Sequence, residues 1–202
     1  MDKSNKEKTI LSLCSGTGAW EKPYVEAGYN VISITLPEYD VRTYRPPENV
    51  YGILAAPPCT MFSLARTRAK TPRDFQEGME IVKACLEIIW KCRETPKYKK
   101  DGCLQFWALE NPVGFLRQFL GYPHFTFDPC DFGATYTKKT DLWGFFNIPK
   151  RLPVELSEDE KQRCKVNNRK LPSISDITGS KQAARRSITP EGFAKAFYAA
   201  NR

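Results

Sequence analysis

The sequence predicts an α/β domain: a mostly parallel sheet with helices on both faces. Three observations predict it. Short apolar runs of strand length alternate with helical segments along the chain. The first run leads directly into a glycine-containing turn and a helix. Chemistry-bearing residues fall at the ends of the apolar runs, where open α/β sheets place their sites. With 202 residues, 41% of them apolar, the chain suits one domain over 1–202 with a core of its own.

The elements follow in order. Thr9-Ile10-Leu11-Ser12-Leu13 reads as a buried strand. It runs into Cys14-Ser15-Gly16-Thr17-Gly18-Ala19-Trp20 and a helix to about Ala27, closed by Gly28. Val31 to Ile34 is the second strand, and Tyr51 to Ala55 the third, delivering Pro57-Pro58-Cys59. Thr71-Pro72 reads as an N-cap followed by Pro at the first helical position. The helix behind it carries Phe75, Met79, Val82, Leu86, Ile89 and Trp90 at helical spacing, which predicts a buried face. Leu104 to Leu109 is a strand ending in Glu110-Asn111-Pro112, with a short helix from Val113 to Leu120. Phe125 to Phe127 and Thr140 to Phe146 are later strands, and Thr189-Pro190-Glu191 opens a final helix over Gly192 to Ala200.

Bulk properties narrow the function classes. A net charge of +8 favours a polyanionic partner without identifying one. The polar start, Met1 to Lys8, lacks the apolar core of a signal peptide, and no run reaches membrane-span length. Seven cysteines in that setting read as reduced thiols, so the expected location is cytoplasmic. Cys85, Cys92, Cys103 and Cys130 show no paired spacing, and His124 is the single histidine; no metal site is expected.

Three strand ends carry the candidate chemistry. The Ser15-Gly16-Thr17-Gly18 turn exposes backbone N–H groups to which a ligand can come close. Glu21 stands where the dinucleotide fingerprint needs its third glycine, and no Gly-Lys-Ser/Thr follows. The turn is either an ordinary strand-to-helix connection or the seat of a nucleoside cofactor without pyrophosphate. Cys59, on stiff proline backbone at a strand end, suits either a small buried hydrophobe or a nucleophile. Glu110 could cap the following helix or, if protonated, donate to a bound base.

Taken in order, these motifs resemble those of the DNA cytosine-5 methyltransferase family. Leu11 to Gly18 resembles its first cofactor motif, Pro58-Cys59-Thr60-Met61-Phe62-Ser63 its nucleophile loop, and Glu110-Asn111-Pro112 its Glu-Asn motif. Phe132 to Lys138 falls where the family has its eighth motif. Thr189-Pro190 with Phe193 to Phe197 resembles the last motif, whose helix packs beside the first. The resemblance implies a class I S-adenosylmethionine-dependent methyltransferase fold, Rossmann-like, and methyl transfer to carbon 5 of cytosine in DNA. It implies Cys59 as nucleophile, Glu110 as partner of ring N3, and Lys138 assisting base or phosphate contact. It implies S-adenosyl-L-methionine as cofactor, held by Ser15, Gly16, Thr17, Gly18, Ala19, Trp20, Asp40, Val41, Pro57 and Ser187.

The departures qualify those implications. Cys14 stands where the family places an aromatic against adenine, and Thr35 stands near its ribose carboxylate, with Glu38 and Asp40 following. Tyr136 and Thr140 replace the Gln and second Arg of the eighth motif. The family's separate target-recognition domain does not fit between Asn147 and Arg186; this loop-rich stretch holds ten Lys/Arg against five Asp/Glu. It reads either as a phosphate-contacting segment or as a solvated loop. Minimal forms of this kind resemble the compact enzymes of phage-type genomes. The expectation is therefore a DNA methyltransferase of low or partner-supplied selectivity, acting on duplex or single strands, with a separate recognition subunit as a candidate partner. Alternatives are methylation of a cytosine nucleotide or RNA, transfer of a modified methyl group, or a non-catalytic DNA- or cofactor-binding module.

Overall fold

The computed structural model describes residues 3–67, 69–94, 104–153, 155, 157–159, 171, 173–174 and 187–202. Most of the basic stretch 147–186, and Cys103, lie outside the described residues. Six strands form one sheet: β1 (Thr9–Leu13), β2 (Asn30–Ile34), β3 (Val50–Ala55), β4 (Phe106–Pro112), β5 (Phe125–Phe127) and β6 (Thr140–Phe145). Their order is β2-β1-β3-β4-β6-β5. The pairings β1–β2, β1–β3 and β3–β4 are parallel; β6 enters antiparallel between β4 and β5. This is a Rossmann-like α/β sheet, parallel through β2, β1, β3 and β4, as the alternation of strands and helices in the sequence predicts.

Alternation along the strands sorts side chains to two faces. Leu11, Leu13, Ile53 and Leu109 pack with Val82, Cys85 and Ile89 of α2 (Phe75–Arg93). Ile10, Leu54, Phe106 and Ala108 pack on the opposite face with Trp20, Tyr24, Phe193 and Phe197. Tyr24 belongs to α1 (Lys22–Glu26), and the two phenylalanines belong to the C-terminal helix (Glu191–Ala200). That last helix, α4 in chain order after α3 (Arg117–Leu120), lies beside α1: the Tyr24 and Tyr198 rings meet edge-on at 5.0 Å. Tyr24 also donates through its hydroxyl to the Asn201 carbonyl.

Several local expectations are corrected. α2 starts at Phe75 rather than at Pro72; Asp74 caps it by accepting from the Glu77 N–H. Arg73 is drawn out of helical service because its guanidinium donates to the Met61 and Ser63 carbonyls. Trp90 is 51% exposed; Val82 and Ile89 are buried as predicted, and the buried face of α2 is completed by Ala84, Cys85, Ile88 and Cys92. α1 is one short piece, since the glycine turn extends as far as Glu21 and Pro23 opens the helix. The helix after Asn111 shrinks to α3 because Glu110, Asn111 and Pro112 continue β4, opposite Leu142, Asp141 and Thr140. The α3–β6 junction is held by a bidentate Arg117–Asp141 pair at 2.7 Å, with Asp141 fully buried and also accepting from Thr126. No helix among the described residues is long and apolar enough to cross a membrane.

Candidate active site

The carboxyl ends of β1, β3 and β4 open into one cleft of about 1020 Å³. Its construction starts with the Pro-Pro-Cys turn. Leaving β3, Ala56 still donates to the Leu13 carbonyl at 2.9 Å, so the chain stays on the sheet until Pro57. Two prolines then stop the ladder, and the chain curls so that Phe62 and Ser63 both donate to the Cys59 carbonyl. The turn is fixed from outside. Buried Asn111 donates its amide to the Pro57 carbonyl at 2.9 Å. Phe115 donates to the Phe62 carbonyl, and Gly114 bridges to Ser63. A Cβ on Gly114 would stand 2.3 Å from the Phe62 carbonyl oxygen, so only glycine permits this approach. The Glu-Asn strand end and the Pro-Cys turn are thus one bonded unit.

Cys59, Glu110 and Lys138 line the cleft together. Lys138 Nζ lies 3.8 Å from Glu110 Oε1, with the two side chains only 13% and 15% exposed. Lys138 is held by its own backbone N–H, which donates to Asp128 at 3.0 Å. Burial pushes the Cys59 thiol above its ordinary value; Glu110 adds to the rise and Lys138 opposes it. The thiol is therefore a protonated reserve whose ionisation depends on these neighbours. Glu110 caps no helix: it is paired within β4, and the N-cap of α3 is Leu116.

The remaining predicted site residues divide. Ser15, Gly16, Trp20, Asp40, Val41, Pro57 and Ser187 line the same cleft. Thr17, Gly18 and Ala19 complete the turn without lining it. Gly16 and Gly18 have φ of 58° and 73°, and a Cβ built on Gly16 meets nothing within 4 Å, so there is open room over the turn. Asp40 is already bound bidentately by Arg42, whose hydrogen bonds hold its carboxyl down to about 2.

Some features escape the sequence. Cys14 adopts φ 57°, a left-handed conformation uncommon outside glycine, and its thiol pairs with Cys85 behind the cleft. That hydrogen bond, with burial, pushes the Cys85 thiol well up. The aromatic wall is Tyr39, half-exposed and edge-on to Tyr44 at 5.8 Å. Glu21 is buried in the cleft wall, a place where charged side chains are seldom found. Ser173 and Ile174 also reach the cleft, where Ile174 donates to the Thr137 carbonyl beside Lys138.

No protein-family model and no curated protein matches the chain. Among solved structures, one described as a prophage-encoded DNA modification methyltransferase of E. coli aligns with 87% of this chain and 54% of its own. The identity is 12% and the TM-score 0.46. Spodoptera frugiperda DNMT2 aligns with 86% of this chain and 60% of its own, at 16% identity and a TM-score of 0.41. The chain spans a little over half the length of each of these two structures.

Proposed function

We propose that this protein is a DNA methyltransferase that moves a methyl group from S-adenosylmethionine to carbon 5 of cytosine through a covalent bond to Cys59. The observation that carries the reading is the convergence of Cys59, Glu110 and Lys138, from three separate strand ends or loops, on one cleft that also holds the glycine turn. Carbon 5 of cytosine is too poor a nucleophile to accept a methyl unaided. Cys59 Sγ adding to carbon 6 makes carbon 5 enamine-like. Glu110, placed against ring N3, stabilises the charge that addition creates, and Lys138 keeps that carboxyl oriented and meets base or phosphate. The cofactor, when bound, supplies an electrophilic methyl on a sulfonium. Water takes the carbon-5 proton, the electron pair of that C–H bond re-forms the ring double bond, and Cys59 leaves as the thiolate. A duplex base must leave the stack to reach this depth.

The cofactor fits the residues present. The glycine turn has room above it, Tyr39 offers an aromatic face, and Asp40 and Val41 stand beside it. Ser15, Gly16, Trp20, Pro57 and Ser187 would hold the rest. We place the whole activity in one domain, with sequence selectivity low or supplied by a partner.

The test is incubation with labelled S-adenosylmethionine and DNA, followed by nucleoside mass spectrometry. 5-Fluorocytosine in DNA should trap the protein at Cys59, because fluorine cannot leave as a proton does. Cys59→Ser should lose turnover and keep cofactor binding. A trapped peptide carrying another cysteine, or methyl on a different ring atom, would overturn the mechanism.

A further inference from the structure

We propose that Glu21 and Trp20 together form the receptor for the amino-acid end of the cofactor. Glu21 Oε2 takes the α-ammonium and the Trp20 indole N–H takes the α-carboxylate. The assignment rests on the methyl-transfer reading above and adds a residue, Glu21, that the motif pattern does not nominate.

Two adjacent side chains in the cleft wall carry opposite unmet needs. Glu21 is 3% exposed; its Oε1 accepts from the Ser33 hydroxyl at 3.2 Å, while Oε2 has no partner among the described residues. Trp20 is 4% exposed, and its indole N–H likewise has no partner there. Both line the cleft. A buried acceptor or donor left unsatisfied is costly, so each such atom calls for an explanation. Here a carboxylate acceptor and an N–H donor belong to consecutive residues that both line the cleft, which is the complement of a zwitterion.

The ribose is the competing occupant. A ribose diol offers Glu21 Oε2 only neutral hydroxyl donors, whereas an α-ammonium offers it a charge-assisted bond. A ribose also brings no anion to the indole N–H. Position agrees with the amino-acid end. Trp20 packs on Phe193 and Phe197 of α4, ring centroids 5.9 and 5.4 Å away, in the core of the α1/α4 face. Val41, beside the expected adenine contact, belongs to the core of the α2 face. A ligand reaching both must cross the strand ends, with its nucleoside toward Val41 and its other end toward Trp20.

The experiment is calorimetric titration of wild type, Glu21→Gln and Trp20→Phe with three probes. These are S-adenosylhomocysteine, decarboxylated S-adenosylmethionine, which lacks the carboxylate, and methylthioadenosine, which lacks the whole amino-acid end. Glu21→Gln should weaken the first two by about 10–100-fold, the loss of one charge-assisted bond, and leave methylthioadenosine unchanged. Trp20→Phe should weaken S-adenosylhomocysteine alone, by a few-fold to about tenfold. Unchanged methylthioadenosine binding also certifies that each variant is folded. Equal loss for every probe would assign Glu21 to the ribose or to the fold and overturn the proposal, as would no loss for any. Failure of wild type to bind any of the three would instead remove the cofactor reading itself, and this assignment with it.

Discussion

Replacing Glu110 by Gln separates a catalytic carboxyl from a structural one. If Glu110 meets ring N3 during addition, its loss should lower turnover by about two orders of magnitude, or about 2.7 kcal/mol of barrier. Stability should barely move. At 3.8 Å the Lys138–Glu110 attraction is about 4 kcal/mol gross at an effective dielectric of about 20. Desolvation of two largely buried charges offsets most of that, leaving about 1 kcal/mol or less net. Gln keeps an oxygen for Lys138, so the melting temperature should fall by no more than about 4 °C for a chain of this size. The Cys59 thiol supplies an opposite sign. Glu110 is among the causes that raise it, after burial, so the variant thiol should ionise at lower pH. Alkylation of Cys59 by iodoacetamide against pH, in wild type and Glu110→Gln, reads this shift directly. The variant should therefore hold more thiolate and turn over less. Wild-type turnover, or an alkylation midpoint that rises or stays fixed, would refute the placement of Glu110 beside the reacting ring and thiol.

Four further outcomes follow from the same geometry. Asn111→Ala removes the bond to the Pro57 carbonyl and should cost about 1–3 kcal/mol in urea unfolding, with about tenfold slower single turnover as the Cys59 turn loosens. Arg117→Ala leaves the Asp141 carboxylate buried without its cation and should cost about 3–5 kcal/mol by chemical denaturation; a loss under about 1 kcal/mol would mean that water replaces the guanidinium. Thr35→Asp should tighten S-adenosylmethionine by calorimetry, since Thr35 lines the cleft where the family resemblance places a ribose carboxylate; unchanged affinity would mean that the ribose is already served. On the proposed function, DNA affinity should fall steeply with salt and depend little on sequence, because a net charge of +8 favours phosphate contacts; a sharp consensus among modified sites would show that this chain reads bases.

What the sequence made legible was the part set by pattern. Strands β1, β3, β4 and β6 declared themselves as apolar runs, and the turns they feed were marked by Gly16, Gly18 and Pro57-Pro58. Cys59 and Glu110 were readable because each comes at the end of such a run, Lys138 because it stands just before β6, and the fold brings those strand ends together. The misses share a cause: a side chain's partner lies far away in the chain. Arg73 looked like part of a helix start until its bonds to Met61 and Ser63 placed the cap at Asp74. Trp90 had the right spacing for a buried face, yet helical spacing allows two neighbouring stripes, and the sheet chose the one through Cys85 and Ile89. Glu21 read only as a missing glycine, because nothing local reveals that Ser33, 12 residues on, bonds to it.

The docking of α4 against α1 has a consequence in time. Trp20 takes its orientation from Phe193 and Phe197, and Tyr24 is tied to Asn201, 177 residues downstream. At about 5–20 residues per second, the ribosome leaves the glycine turn without its supporting wall for roughly 10–35 s after making it. During that interval Cys59 and Glu110 can already be paired through β3 and β4, because their strands and the Asn111 clamp are complete first. On the proposed reading, the nascent chain thus acquires its thiol site before it can seat the amino-acid end of a cofactor. A protease clip that removed α4 would return the finished protein to that earlier state, with the Cys59 turn still clamped by Asn111 and Trp20 stripped of its aromatic support.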